Sequence, residues 1–154
     1  MKKLYLMRHG HAPTTAESGV KSDALRPLSE RGRADARRMA AELKRRGGRP
    51  ALILHSPLVR AVQTAGAAAA ELAVPAEVLA ALDNTRPAEE VLAALSERAA
   101  DADEVLAVGH QPQLGELAAL LTRQLFDLRP AGLVAVETAP AARLLWARNA
   151  DELG

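Results

Sequence analysis

Leu4-Tyr5-Leu6-Met7-Arg8-His9-Gly10 carries the strongest structural signal in this chain. Four apolar residues in a row, ended by charge, predict a short buried strand over 4–7. Arg8 and His9 then stand at its carboxyl end, the edge of an open α/β sheet where ligands bind. Far along the chain the pattern returns, because Val105-Leu106-Ala107-Val108 leads into Gly109-His110. With only 4 histidines in the sequence, two at strand ends, each beside a glycine, predict one site assembled from distant segments.

Outward from these strands, the pattern alternates. Residues 11–25, polar with Gly and Ser, predict a loop. After Pro27, Ser29 is a candidate N-cap for a first helix. Ala36, Met39, Ala40 and Leu43 then follow helical spacing, and Gly47-Gly48 stop it. Residues 51–55 predict a second strand. Residues 58–72 predict an Ala-rich helix whose start carries Arg60, and 77–79 a short strand. Val91, Leu92, Leu95 and Ala99 mark a third helix, whose start at Pro87 carries Glu89 and Glu90, acidic residues that complement the helix dipole. Leu114, Leu117, Ala118 and Leu121 mark a fourth after Pro112. Residues 133–138 and 143–146 predict two late strands, an antiparallel hairpin around Ala139-Pro140-Ala141. Strands alternating with helices imply an α/β fold with a largely parallel sheet. No repeat or linker divides the chain, and 154 residues suit a single domain over 1–154.

Composition narrows the function classes. The chain is 49% apolar and 25% charged, with formal net charge +1. That balance predicts a soluble globular protein and argues against a nucleic-acid surface. Cysteine is absent, so neither a disulfide framework nor a thiolate metal site is expected. After Met1-Lys2-Lys3 the apolar run is too short for a signal sequence, and no stretch suits a membrane span. The expectation is a cytoplasmic protein without a membrane partner. Aromatic residues make up 2%, so stacking contributes little to ligand binding.

Three segments carry candidate chemistry: Arg8-His9-Gly10-His11, Ser56-Pro57-Leu58-Val59-Arg60-Ala61-Val62-Gln63-Thr64, and Val108-Gly109-His110-Gln111-Pro112. If the strands are parallel, each delivers a His or Arg to one sheet edge. Phosphoryl oxygens favour charge-assisted, bidentate hydrogen bonds from arginine. A neutral imidazole can attack phosphorus and carry it covalently. Gly10 and Gly109 leave room for oxygens and tolerate unusual backbone angles.

These motifs together resemble the histidine phosphatase superfamily, whose signature is Arg-His-Gly after the first strand. They are most similar to the compact SixA-type phosphohistidine phosphatases. Arg26-Pro27-Leu28-Ser29-Glu30-Arg31-Gly32 resembles that group's entry to its first helix, and the Ser56–Thr64 and His110 segments resemble its later motifs in order. The resemblance implies a three-layer α/β/α, phosphoglycerate mutase-like fold with a mostly parallel central sheet. It implies His9 as the nucleophile, with Arg8, Arg60 and His110 holding the phosphate, and neither metal nor other cofactor. The superfamily's leaving-group acid has its best counterpart in Asp83.

Several residues keep more than one reading. Asp83 is either that acid or the head of an Asx turn beside Asn84. Ser56 either hydrogen-bonds the site or caps the second helix. His11 is expected at the rim and His55 in a structural role, while Arg31, Arg33, Arg37 and Arg38 form a solvated helix face. The resemblance implies a phosphorylated protein bearing phosphohistidine as partner. The alternatives are a small phosphomonoester, such as a sugar or nucleotide-derived phosphate, and a non-catalytic phosphate-binding protein on the same fold. A monomer is the default expectation.

Overall fold

The computed structural model describes residues 1–154. Six strands, β1 (Lys3–Arg8), β2 (Leu52–His55), β3 (Ala76–Val78), β4 (Glu104–Gly109), β5 (Leu133–Glu137) and β6 (Arg143–Arg148), form one sheet in the order β3-β2-β4-β1-β5-β6. The four strands from β3 to β1 are parallel to their neighbours. β5 pairs antiparallel with β1, and β6 antiparallel with β5, so the sheet is mixed and its late hairpin is as expected.

Side-chain alternation along the strands builds a core on each face. Leu4, Leu6, Leu54, Val105 and Ala107 pack on one side with α4 (Ala88–Arg98) and α5 (Gln113–Thr122). Tyr5, Met7, Ile53, Leu106 and Val108 pack on the other with α2 (Glu30–Arg45) and α3 (Val59–Leu72). α2 buries Ala36, Met39, Ala40 and Leu43, the stripe read from the sequence. Its N-cap is Ser29, whose Oγ accepts from Gly32 N at 3.0 Å. Beyond its end Gly47 takes φ +88°, a left-handed conformation that glycine adopts at little cost.

Residues 11–25 are not the unbroken loop expected. They contain a one-turn helix, α1 (Thr15–Ser18), and a 3₁₀ turn (Asp23–Leu25). A reciprocal capping pair holds α1: Glu17 N donates to Thr14 Oγ1 at 3.1 Å, and Thr14 N to Glu17 Oε1 at 3.0 Å.

The topology creates a crevice. From β1 the chain crosses to β2 and β3 with α2 and α3 on one face. It then returns to β4, between β2 and β1, and α4 and α5 cover the other face. The chain segments leaving β1 and β4 therefore diverge to opposite faces, which opens a ligand-binding gap at their carboxyl ends.

The glycines near this edge serve packing. Neither Gly10 nor Gly109 has a left-handed backbone. A Cβ on Gly10 would lie 2.5 Å from Gly32 O in the first turn of α2, and one on Gly32 would collide with His11 O. A Cβ on Gly109 would meet Leu114 at 3.4 Å. The expected vacancy for ligand oxygens is thus, at Gly10, a contact between two backbones. Alanine at position 32 gains about 1 kcal/mol of helix propensity, but overpacking against an immobile carbonyl costs about 2–3 kcal/mol. Gly32→Ala should therefore lower stability by about 1–2 kcal/mol in urea denaturation, and an unchanged midpoint would show that the two backbones separate freely.

Candidate active site

Parallel pairing places Arg8 opposite Gly109. The residues that follow, His9 and His110, leave the sheet side by side. His9 N donates to Gly109 O at 3.0 Å, and the two imidazole centroids are 5.2 Å apart, tilted by 52°. On the far side of β4, Ser56 N donates to Val108 O at 3.0 Å. α3 begins three residues later, so Arg60 in its first turn rises from the same edge. The structure thus gathers Arg8, His9, Arg60 and His110 at one end of the sheet.

Each side chain is held by a specific partner. His9 Nδ1 lies 2.7 Å from Gly10 O. A carbonyl oxygen can only accept, so Nδ1 carries the proton and the lone pair of the neutral ring is on Nε2. Arg8 Nη1 donates to Leu128 O at 3.0 Å. Arg60 Nη1 donates to Asp23 O at 2.8 Å and its Nη2 to Asp23 Oδ2 at 3.0 Å. His110 Nε2 is 2.7 Å from Ser56 Oγ.

Electrostatics keep both imidazoles uncharged. Burial pushes His9 down to about 3, against the hydrogen bond to Gly10, with help from the charges of His110, Arg60 and Arg8. His110 is pushed down to about 4 by burial and then by Arg60 and Arg8, while Asp23 and Asp83 pull the other way. Arg8 is itself lowered, first by burial and then by the charge of Arg60. Three buried nitrogens here, Arg8 Nε, Arg60 Nε and His110 Nδ1, have no partner. The only other unpaired buried side-chain atom in the chain is Gln113 Oε1. Two guanidiniums with an unpaired buried N–H each, beside an unpaired imidazole nitrogen, are the electrostatic complement of an anion.

Asp83 stands apart from this cluster. Its Oδ1 accepts from Thr85 N at 3.1 Å and from Thr85 Oγ1 at 2.5 Å, an Asx turn. No hydrogen bond joins it to the four residues above, although its charge is felt by His110. The adjoining Asn84 ties this loop to the His110 segment, donating to Gln111 O at 2.9 Å and accepting from Gln113 N at 3.1 Å. His11 is at the exposed rim, 2.8 Å from Ser29 Oγ. His55 is buried, with Nδ1 2.9 Å from Ser56 O.

Three supporting residues escaped the sequence reading as site members. Asp23 is the carboxylate that holds Arg60. Arg26 fixes Asp23 through Nη1 at 2.9 Å and reaches the loop after His9 through Pro13 O and Ala12 O, at 2.8 and 2.9 Å. Thr64 Oγ1 accepts from Gly10 N at 3.0 Å and donates to Arg60 O at 2.8 Å, linking the two motifs. Arg26 and Thr64 lie inside quoted motifs, whereas nothing in the local sequence marks Asp23.

Comparison with known proteins bears on the family and the fold. The profile of the histidine phosphatase superfamily (branch 1) matches residues 4–88. An uncharacterised protein of Picosynechococcus is 38% identical over 146 residues, covering 90% of this chain and 87% of the relative. The protein histidine phosphatase SixA, solved with tungstate, superposes with a TM-score of 0.87 at 28% identity, over 99% of both chains. A candidate phosphohistidine phosphatase SixA from Agrobacterium tumefaciens gives 0.79 at 26% identity, covering 96% of this chain and 97% of its own. The architecture is accordingly the phosphoglycerate mutase-like α/β fold.

The buried neutral rings make stability depend on pH. Unfolded, each histidine titrates near about 6.5; folded, both bind a proton only at much lower pH. Between pH 6.5 and 4.5 the unfolded chain therefore holds more protons, and stability rises with pH across that window. Melting temperature should fall as pH is lowered from 7 to 4.5. His9→Ala should flatten the slope by about one proton; an identical slope would mean that His9 is not buried as the neutral ring.

Proposed function

The chain belongs to the histidine phosphatase superfamily (branch 1), and on that ground and the crevice geometry we propose a metal-independent phosphatase that works through phospho-His9 on protein phosphohistidine. The observation that carries the mechanism is the 2.7 Å contact from His9 Nδ1 to Gly10 O. It leaves Nε2 as an unprotonated nucleophile, and the depressed pKa keeps it so at neutral pH.

In the first step His9 Nε2 bonds to phosphorus, the bond from phosphorus to the substrate nitrogen breaks, and the departing imidazole takes up a proton from the Asp83 carboxyl or from solvent. The ring of phospho-His9 gains positive charge, which the Gly10 carbonyl stabilises through Nδ1–H. In the second step water attacks phosphorus and loses a proton, the bond to Nε2 breaks, and orthophosphate leaves. Arg8, Arg60 and His110 hold the three phosphoryl oxygens and offset the charge that spreads over them. The guanidiniums supply the positive charge that a metal supplies in other phosphatases.

The protein substrate is supported by the likeness to SixA over 99% of both chains and by the short path between α3 and β4. That path holds only β3, a 3₁₀ turn (Ala80–Leu82) and α4, with no inserted domain to close the crevice over a small ligand. Asp83 is the carboxyl proposed for the leaving group, through Oδ2, since Oδ1 is engaged with Thr85. The tie of its loop to the His110 segment through Asn84 supports a second reading, a small phosphomonoester, because an alkoxide needs an acid more than an imidazole does.

Incubation with a phosphohistidine carrier protein and with an aryl phosphate, followed by alkaline quench and mass spectrometry, should show one phosphoryl group on the His9 peptide. His9→Ala should lose the adduct and roughly a thousandfold or more of the rate; full activity in that variant removes His9 as nucleophile. Asp83→Asn should leave phosphohistidine turnover within about threefold while slowing small esters by roughly a hundredfold. Fast esters that depend on Asp83, with an inert phosphohistidine carrier, would establish the second reading.

A further inference from the structure

Ser56 Oγ has two polar neighbours, and their chemistry decides where the proton of His110 resides. Leu58 N donates to Ser56 Oγ at 3.1 Å, and His110 Nε2 lies 2.7 Å from the same oxygen. Ser56 is fully buried, so water is not available to complete its hydrogen bonds. A neutral imidazole has one N–H, which leaves two arrangements. If Nε2 bore the proton, Ser56 Oγ would accept twice, its own O–H would have no acceptor, and His110 Nδ1 would be an unpaired acceptor. If Ser56 donates its O–H to Nε2, the hydroxyl is satisfied as donor and acceptor, and only Nδ1–H remains free. Leaving a buried polar group unsatisfied is costly, so the second arrangement, with one unpaired group in place of two, prevails. Nδ1 is the nitrogen of His110 that has no protein partner.

We propose that Ser56 is a positioning residue that fixes His110 in the Nδ1–H form, making it a neutral hydrogen-bond donor to the phosphoryl group. The assignment rests on the phosphatase reading above for what Nδ1–H donates to, but the tautomer itself is a property of the free protein. The hydrogen bond made by one ring nitrogen sets the state of the other, and by analogy with the outer partners of metal-bound histidines its loss is expected to change activity roughly 10–100-fold. The two active-site histidines then hold their protons on the same atom for different reasons. His9 keeps Nδ1–H because a carbonyl demands it, and thereby exposes a nucleophilic Nε2. His110 keeps Nδ1–H because a hydroxyl occupies Nε2, and thereby exposes a donor.

The test is long-range proton–nitrogen correlation NMR on protein labelled with ¹⁵N in its imidazoles at pH 7.5, where the two ring nitrogens of each tautomer have distinct shifts. Wild type should show His110 with protonated Nδ1 and bare Nε2. Ser56→Ala and the near-isosteric Ser56→Cys should move His110 toward the Nε2–H form. In the same variants kcat should fall roughly 10–100-fold, with the His9 pattern unchanged. A wild-type His110 protonated on Nε2 overturns the proposal, with no variant needed. A wild-type His110 in the Nδ1–H form, in a protein that turns over neither phosphohistidine nor phosphate esters, would uphold the tautomer and sink the phosphatase reading instead.

Discussion

Two guanidiniums and two imidazoles share one crevice, and the state of each follows from burial first and from their mutual repulsion second. Arg8 and Arg60 stay charged, because arginine does not give up its proton in proteins. The histidines must therefore yield, and burial together with the arginines holds both far below their ordinary range. What remains is two neutral rings between two fixed cations, the nucleophile and the donor of the proposed reaction. Only Asp23, itself largely exposed, touches Arg60, and Arg8 has only the Leu128 carbonyl. Arg8 makes no ion pair, so part of the positive charge at the crevice is left for an anion such as the phosphoryl group proposed above.

The fold supplies this concentration of charge through strand order more than through local sequence. β1 and β4 are distant in the chain and adjacent in the sheet. Their shared register brings His9 beside His110, while β2 on the outer side of β4 brings Ser56 and the start of α3 into the same row. The backbone contact between Gly10 and Gly32 then seats α2 directly on the segment that carries His9. Thr64 bonds both the Gly10 amide and the Arg60 carbonyl. A shift of any one element would therefore move the nucleophile relative to the arginines.

Much of this was legible in advance because it depends on periodic patterns. Short apolar runs locate β1, β2 and β4, and the stripe from Ala36 to Leu43 places α2 with its Ser29 cap. What was not legible depends on contacts between segments or on short local motifs. α1 was missed although Thr14 and Glu17 have the spacing of a capping box, because a single turn has no hydrophobic period to support it. Asp23 was missed because its partner lies 37 residues away, and a lone acid in a polar loop carries no pattern. Gly10 was placed correctly but for the wrong reason, since a sequence does not reveal which backbone will press against a glycine.

The tautomers of His9 and His110 show why two chemically similar rings need different neighbours. A carbonyl oxygen accepts and cannot donate, so Gly10 O leaves His9 a single neutral form whatever surrounds it. A hydroxyl can do either, so Ser56 alone would leave His110 ambiguous. The ambiguity is removed by the Leu58 amide, which occupies Ser56 Oγ as a donor, and by burial, which denies the hydroxyl any other acceptor. That amide is free because Leu58 is the N-cap of α3, where the backbone N–H has no intrahelical partner. The N-cap of the helix that delivers Arg60 to the crevice thus also supplies the hydrogen bond that turns the Ser56 hydroxyl toward His110, beyond the end of the neighbouring strand.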